Sequence, residues 1–428
     1  MAVEQIAEQT NTSWVKELEA IGANAKAALR SLILSTPDTR SHALKLCAQK
    51  LRNSKDAILK ANALDVARGQ STLSKAMIDR LTLTSERIDA IAMGLDDVAA
   101  QPDPIGKIQE EWTRPNGLKI QRVSVPLGVI GMIYESRPNV TAEAASIALR
   151  GGNAIILRCG SDCFESSKAI ANAMQDGLAE AGLPKHTVQL VPTTDRNAVG
   201  ALLSMTRYVD VIVPRGGREL IERVERESKI PLLRQYEGVN HIYVDAKADA
   251  EKAKAVIQNA KMRRTSICGA VECLLFETST LKTIAEPVIK NLLDAGCEVR
   301  GDDAIAALDA RVKKATSADW GKEFLEPIIA ARVISNMKDA IEHIATYSSN
   351  HTDCILTEDK AAADAFCAQV DSAIVMVNAS TQFADGGEFG FGGEVGIATG
   401  RFHARGPIGA AQLTSYKYIV LGTGQTRP

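Results

Sequence analysis

The sequence predicts an α/β protein built from two doubly wound domains, and three observations carry that expectation. The chain has 428 residues, enough at roughly 150 residues per domain for two or three domains. Beyond Leu127, short Val- and Ile-rich runs alternate with helical stretches, the order of a parallel sheet covered on both faces. The series then restarts near Ala248, which places a second α/β domain after the first.

Composition narrows the partners. Apolar residues make up 45% and charged residues 24%, which excludes a disordered chain or a fibre. Fifty Lys plus Arg against fifty-two Asp plus Glu leave a net charge of -2, so no whole-chain positive field exists to gather nucleic acid. Residues 1–20 are acidic and mixed, without the apolar core of a signal peptide, and no run approaches the roughly eighteen apolar residues of a membrane span. The expectation is a cytoplasmic protein with no membrane attachment. Eight cysteines are scattered at 47, 159, 163, 268, 273, 297, 354 and 367. In a reducing compartment they are thiols. The pairs Cys159/Cys163 and Cys268/Cys273 lack C-x-x-C spacing, and no histidine pair stands near them in sequence, so no metal site is expected.

From Val3 to about Asp103, Ala, Leu, Ile and Met recur at helical spacing. Residues 111–125 then alternate on both sides of Asn116-Gly117, which predicts a β-hairpin with a type I′ turn. A lone hairpin is marginal, so it needs another element or a neighbouring subunit to pack on. A surface loop is the alternative. Strands are expected at Leu127–Tyr134, Ala154–Arg158, Thr187–Val191, Val209–Pro214 and His241–Asp245, with helices at Ala142–Arg150, Phe164–Glu180 and Glu219–Glu227. The second series runs helix to Met262, strand Val271–Phe276, helix Leu281–Ala295, strand Ile328–Ile334, helix Lys338–Tyr347, strand Asp353–Thr357, helix Lys360–Gln369 and strand Ser372–Val377. Residues 385–409 hold nine glycines, and residues 377–396 are unlikely to build a helix or a compact core and read instead as a loop that wraps a polar small molecule through backbone groups. Tyr416–Leu421 is a final strand.

Four places could carry chemistry. Cys268, in Lys261-Met-Arg-Arg-Thr-Ser-Ile-Cys-Gly-Ala-Val-Glu272, lies between a helix and a strand, with Arg263 and Arg264 upstream to favour a thiolate. It reads as a nucleophile for acyl groups or as a buried structural thiol. Arg137-Pro138-Asn139 follows a strand, at the end where open parallel sheets bind ligands. Asn139 suits an oxyanion donor or a helix cap. Arg215-Gly216-Gly217 ends a strand and opens a helix, which suits a phosphate or a plain glycine turn. Arg158 could reach a ribose or its phosphate, or be solvated.

Taken together, residues 125–140, 213–217, 261–276, 377–381 and 402–409 resemble the glutamate-5-semialdehyde dehydrogenase family, also called gamma-glutamyl phosphate reductases, over essentially the whole chain. The resemblance implies an aldehyde dehydrogenase-like fold. Residues 1–108 with 126–240 would bind NADP, 241–400 would form the catalytic domain, and 109–125 with 411–428 would serve oligomerisation. It implies that NADPH reduces gamma-glutamyl phosphate through a cysteine thioester, the second step of proline synthesis from glutamate, in a cleft between the two domains. Cys268 would be the nucleophile and Asn139 the oxyanion donor. Arg158, Arg215, Gly216, Gly217 and Glu323 would contact the cofactor. Arg137, Arg264, Asn378, Ser380 and Thr381 would contact the substrate. The implied partners are further copies of the chain and a glutamate 5-kinase. The family's residues around the cysteine differ here at Thr265 and Gly269. Glu237 does not align clearly with the water-activating glutamate of hydrolytic relatives, and a phosphoacyl reductase has no need of one.

Overall fold

The structure, a computed structural model, describes residues 2–235 and 237–427, without the side chains of residues 2–13, Ala76 and Arg218. Tyr236 lies outside the described residues. The chain divides into two compact units. One comprises residues 1–234, 390–396 and 408–428, the other residues 235–389 and 397–407. No helix among the described residues is long and apolar enough to cross a membrane.

The first unit opens with helices α1 (Ala2–Ile33), α2 (Pro37–Asn53), α3 (Lys55–Gly69), α4 (Lys75–Leu81) and α5 (Ser85–Ala100). Thr36, Ser74 and Thr84 cap α2, α4 and α5, each side-chain oxygen accepting a backbone N–H three residues on. Strands β1 (Ile108–Thr113) and β2 (Lys119–Pro126) then form the antiparallel hairpin. Its turn is not type I′. The Arg114 carbonyl accepts the Gly117 N–H at 2.9 Å, the Arg114 N–H donates to Leu118 at 2.8 Å, and Gly117 alone in the turn has positive φ, at 87°. This is a type I turn with a glycine bulge. Pro115 decides it, because a two-residue loop would require that residue to donate an N–H it lacks.

Next come β3 (Val129–Tyr134), α6 (Val140–Arg150), β4 (Ala154–Cys159), α7 (Phe164–Glu180), β5 (Val188–Leu190), α8 (Asn197–Leu202), β6 (Val211–Arg215) and α9 (Arg218–Glu227). The four strands form a parallel sheet in the order β5-β4-β3-β6. Every residue of β3 and β4 is buried, which is why these strands read as unbroken apolar runs. Sheet growth reverses at β3, so the crevice between the carboxyl ends of β3 and β6 is the switch point where open sheets bind ligands.

The second unit runs β7 (Asn240–Val244), α10 (Ala250–Met262), β8 (Val271–Glu277), α11 (Glu286–Asp294), β9 (Glu298–Gly301), α12 (Asp303–Ala306), β10 (Lys313–Lys314), β11 (Ile328–Ile334), α13 (Met337–Tyr347), β12 (Thr352–Leu356), α14 (Lys360–Gln369) and β13 (Ile374–Val377). Its seven parallel strands lie in the order β10-β9-β11-β8-β7-β12-β13. Alternate residues feed two cores: Ile242, Val244, Leu274 and Phe276 enter one, Tyr243, Cys273, Leu275 and Ile355 the other. The helix expected over Leu281–Ala295 is two pieces, a π turn at 281–285 followed by α11. Pro287 has no N–H for the Thr283 carbonyl, so an unbroken α-helix cannot run through it.

The 377–396 stretch does contribute to the core, contrary to expectation: Ala384 packs in the second unit's core. Beyond it, short strands β14 (Ile397–Ala398) and β15 (Gly406–Pro407) pair, and Ile397 joins the same core. Strand β16 (Thr414–Leu421) pairs with β2 and leaves Tyr416, Tyr418 and Val420 exposed.

Candidate active site

Cys268 sits on the segment 263–270 that joins α10 to β8, and it is partly exposed, whereas Cys367 is exposed and the other six cysteines are buried. Burial pushes the thiols of Cys47, Cys297 and Cys354 up to about 12, which removes them as nucleophiles. The Cys268 segment is fastened along its length. Asn240 Nδ2 donates to the carbonyls of Cys268 at 2.6 Å and Ala270 at 2.8 Å. Gln382 Nε2 donates to the carbonyls of Ala260 and Arg264, at 2.9 and 3.0 Å, while its Oε1 accepts from Arg263. The buried pair Lys261–Glu272, 2.6 Å apart, joins the residues just outside the segment's two ends. A Cβ on Gly238 would stand 2.0 Å from the Cys268 carbonyl oxygen, so only glycine lets the two backbones approach.

The remaining expected residues of this unit differ in their surroundings. Glu323 Oε1 accepts the Gly238 N–H at 2.8 Å, which brings that carboxylate to the backbone beneath Cys268. Thr381 is buried, its hydroxyl has no hydrogen-bond partner, and its carbonyl lies 3.1 Å from where a Gly269 Cβ would be. Asn378, at φ 52°, instead clips Thr357, accepting its N–H at 3.0 Å and donating to its carbonyl at 2.8 Å. Ser380 accepts the Gln382 N–H and starts a short 3-10 turn. Arg264 and Glu237 are exposed.

In the first unit, Asn139 precedes α6 in a helical conformation, so its side chain does not cap the helix, and Nδ2 donates to Glu143 at 3.0 Å. Arg137 is half-buried. Arg158 is buried rather than solvated: it donates to the carbonyls of Cys159, Thr194 and Asp195, and burial lowers its pKa. Arg215 and Gly216-Gly217 lie at the switch point, with Arg215 paired beside Tyr134. The next residue, Glu135, went unnoticed in the sequence. Its carboxylate accepts the Gly217 N–H and lies 2.8 Å from a Gly216 Cβ position, so the start of α9 already holds an acidic group. Desolvation first, then Asp162, raises the Glu135 pKa, although part of its side chain reaches solvent. Two features of this crevice suit a dinucleotide, against the Glu135 carboxylate already at the Gly217 N–H. Space is open where a Gly217 Cβ would be, and Arg158 Nε is buried without a partner.

Folding also gathers what sequence spacing kept apart. His241 and His343 stand with Cys273, their ligand-type atoms within 4.8 Å of one another, so a histidine pair does lie beside one of the cysteines. Cys273 and His343 lie within hydrogen-bond distance of each other, whereas neither ring nitrogen of His241 makes a hydrogen bond. Arg332 donates to His343 Nδ1 at 3.2 Å, which leaves the ring proton on Nε2, facing Cys273 Sγ at 3.7 Å.

The model of the aldehyde dehydrogenase family matches residues 2–306. A gamma-glutamyl phosphate reductase of Rhodospirillum rubrum is 55% identical, covering 95% of this chain and 96% of that one. Another, of Bradyrhizobium diazoefficiens, is 54% identical over 95% of this chain and 94% of its own. The chain belongs to the gamma-glutamyl phosphate reductase branch of the aldehyde dehydrogenase family. A crystal structure of a gamma-glutamyl phosphate reductase from Thermotoga maritima superposes with a TM-score of 0.93 at 41% identity, covering 96% of this chain and all of that one. As an aldehyde dehydrogenase family member the protein is an oxidoreductase that uses a nicotinamide cofactor, and its fold is that of the Thermotoga maritima enzyme.

Proposed function

We propose that this protein reduces gamma-glutamyl phosphate to glutamate 5-semialdehyde and phosphate with NADPH, the second step of proline synthesis from glutamate. The observation that supports it most is the seat of Cys268: a partly exposed thiol on a segment gripped at its own carbonyl, in a chain 54% identical to reductases of that name. The Cys268 thiolate attacks the acyl carbon, forming a carbon–sulfur bond while the carbonyl electron pair moves onto oxygen. Asn139 donates to that oxyanion, and its collapse expels phosphate and leaves a thioester. Arg158 and the Arg215-Gly216-Gly217 turn hold NADPH, which when bound supplies the hydride. Cys268 then departs as thiolate, so one residue serves both half-reactions. Thr381, Ser380, Asn378, Arg137 and Arg264 are the candidates for holding the amino-acid end of the substrate, with Glu323 a candidate for the cofactor ribose. A glutamate 5-kinase is the source of the acyl phosphate. Copies of the chain associate through the exposed face of β16, and a monomeric mass by light scattering would count against that association.

The test is the reverse reaction, NADPH formation from NADP and glutamate 5-semialdehyde with and without inorganic phosphate. Strict phosphate dependence, abolished in Cys268→Ala with NADPH binding intact, is the expected result. Turnover without phosphate that disappears in Glu237→Gln would mean that water resolves the thioester, and the reductase reading would fall.

A further inference from the structure

We infer that Asn240 is a positioning residue for the nucleophile, an inference that rests on Cys268 being that nucleophile. Asn240 is wholly buried at the start of β7. Its side chain is used completely: Nδ2 donates to the Cys268 and Ala270 carbonyls at 2.6 and 2.8 Å, and Oδ1 accepts the Thr352 N–H of β12 at 3.1 Å. Register explains how it reaches them. Asn240 pairs with Val271 but His241 pairs with Cys273, so Glu272 is an extra residue in β8 and the ladder is irregular beside Asn240. Such a bulge re-aims side chains at the edge of a site.

The consequence is geometric. The Cys268 carbonyl fixes one peptide plane on the Cα that carries the thiol. Asn240 holds that oxygen on one side, and Gly238 leaves room for it on another, a Cβ there standing only 2.0 Å away. With the carbonyl held, the Cα–Cβ vector is held, and Sγ is aimed before any substrate arrives. Misplacing a reacting atom by about 1 Å costs on the order of 100-fold in rate. Two buried carbonyls meeting one amide also explain why the residue is Asn: an Asp of the same shape would present an acceptor to two acceptors.

The experiment compares Asn240→Ala, Asn240→Asp and Asn240→Ser with the full-length parent. It reads kcat and KM in the phosphate-dependent assay, the pH profile of Cys268 alkylation by iodoacetamide, and NADPH affinity. The expected result is a kcat fall of roughly 10- to 100-fold in the Ala and Asp variants. Ser, which keeps one donor, should fall between them and the parent. The alkylation profile should shift, with NADPH affinity within about 2-fold of the parent serving as the folding control. The Asp variant preserves shape if Ala leaves a damaging cavity. Parent-like kcat and alkylation in folded Asp and Ser variants would overturn the inference, as would a loss of NADPH affinity in step with kcat. A parent enzyme whose turnover survives Cys268→Ala would instead overturn the reading beneath it, so the two failures are distinct.

Discussion

Gly238 ties the chemistry of one side chain to the absence of another. Adding a single methyl group there would place carbon 2.0 Å from the Cys268 carbonyl oxygen, and the obstacle is backbone, which cannot swing aside. Gly238→Ala is therefore expected to cost about 1–3 kcal/mol of stability by overpacking. It should also lower kcat at least about 10-fold by displacing Cys268. Urea unfolding alongside steady-state kinetics measures both, and an Ala variant with parental kcat would show that the cysteine tolerates a moved carbonyl. At this scale the sequence was partly legible. Cys268 stands out because basic residues and an element boundary mark it, and Arg158 and Asn139 because they end strands or open helices. Asn240, Gln382 and Glu135 carry no such mark. Asn240 and Gln382 act through hydrogen bonds to backbone far along the chain, and Glu135 meets an amide 82 positions later, pairings that only the fold creates.

Between elements, the pair Lys261–Glu272 fastens the end of α10 to β8 and so closes the base of the Cys268 segment. Both side chains are buried, Glu272 Oε1 lacks a partner, and desolvation lifts the Glu272 pKa to about 7 despite the adjacent ammonium. Such a pair contributes more to arrangement than to stability, because taking two charges out of water offsets most of their attraction. Lys261→Met or Glu272→Leu alone should cost about 3–5 kcal/mol by stranding a buried charge, whereas the double variant should lie within a few kcal/mol of the parent. Urea unfolding of the four proteins tests this, and single variants as stable as the parent would refute the coupling. Element legibility follows the same physics of burial. Strand Ile328–Ile334 and helices Phe164–Glu180 and Lys360–Gln369 coincide with expectation residue for residue. Strands Glu298–Gly301 and Lys313–Lys314 were missed because they are short and charged, the second at the sheet edge and the first beside it, with no apolar run to announce them.

For the molecule as a whole, the informative group is His343, packed on one face of the seven-stranded sheet. Burial, then the charges of His241 and Arg332, push its pKa from 6.5 down to about 3. The sign of the stability effect follows directly. Below pH 6.5 the unfolded chain takes up a proton that the folded chain refuses, so stability is complete above that pH and is lost as pH falls toward 3. Each pH unit within that window is worth about 1.4 kcal/mol. Glu272 acts in the opposite sense, since its raised pKa makes the folded state the better proton binder between about pH 4.5 and 7. That contribution is common to parent and variant and cancels in their difference. His343→Gln keeps an acceptor for Arg332 but cannot titrate. Between pH 7 and 5 the parent should therefore lose about 2 kcal/mol more stability than the variant in urea unfolding. Equal losses would mean that His343 is protonated in the folded protein at pH 5, and that the hydrogen bond from Arg332 does not hold its ring neutral.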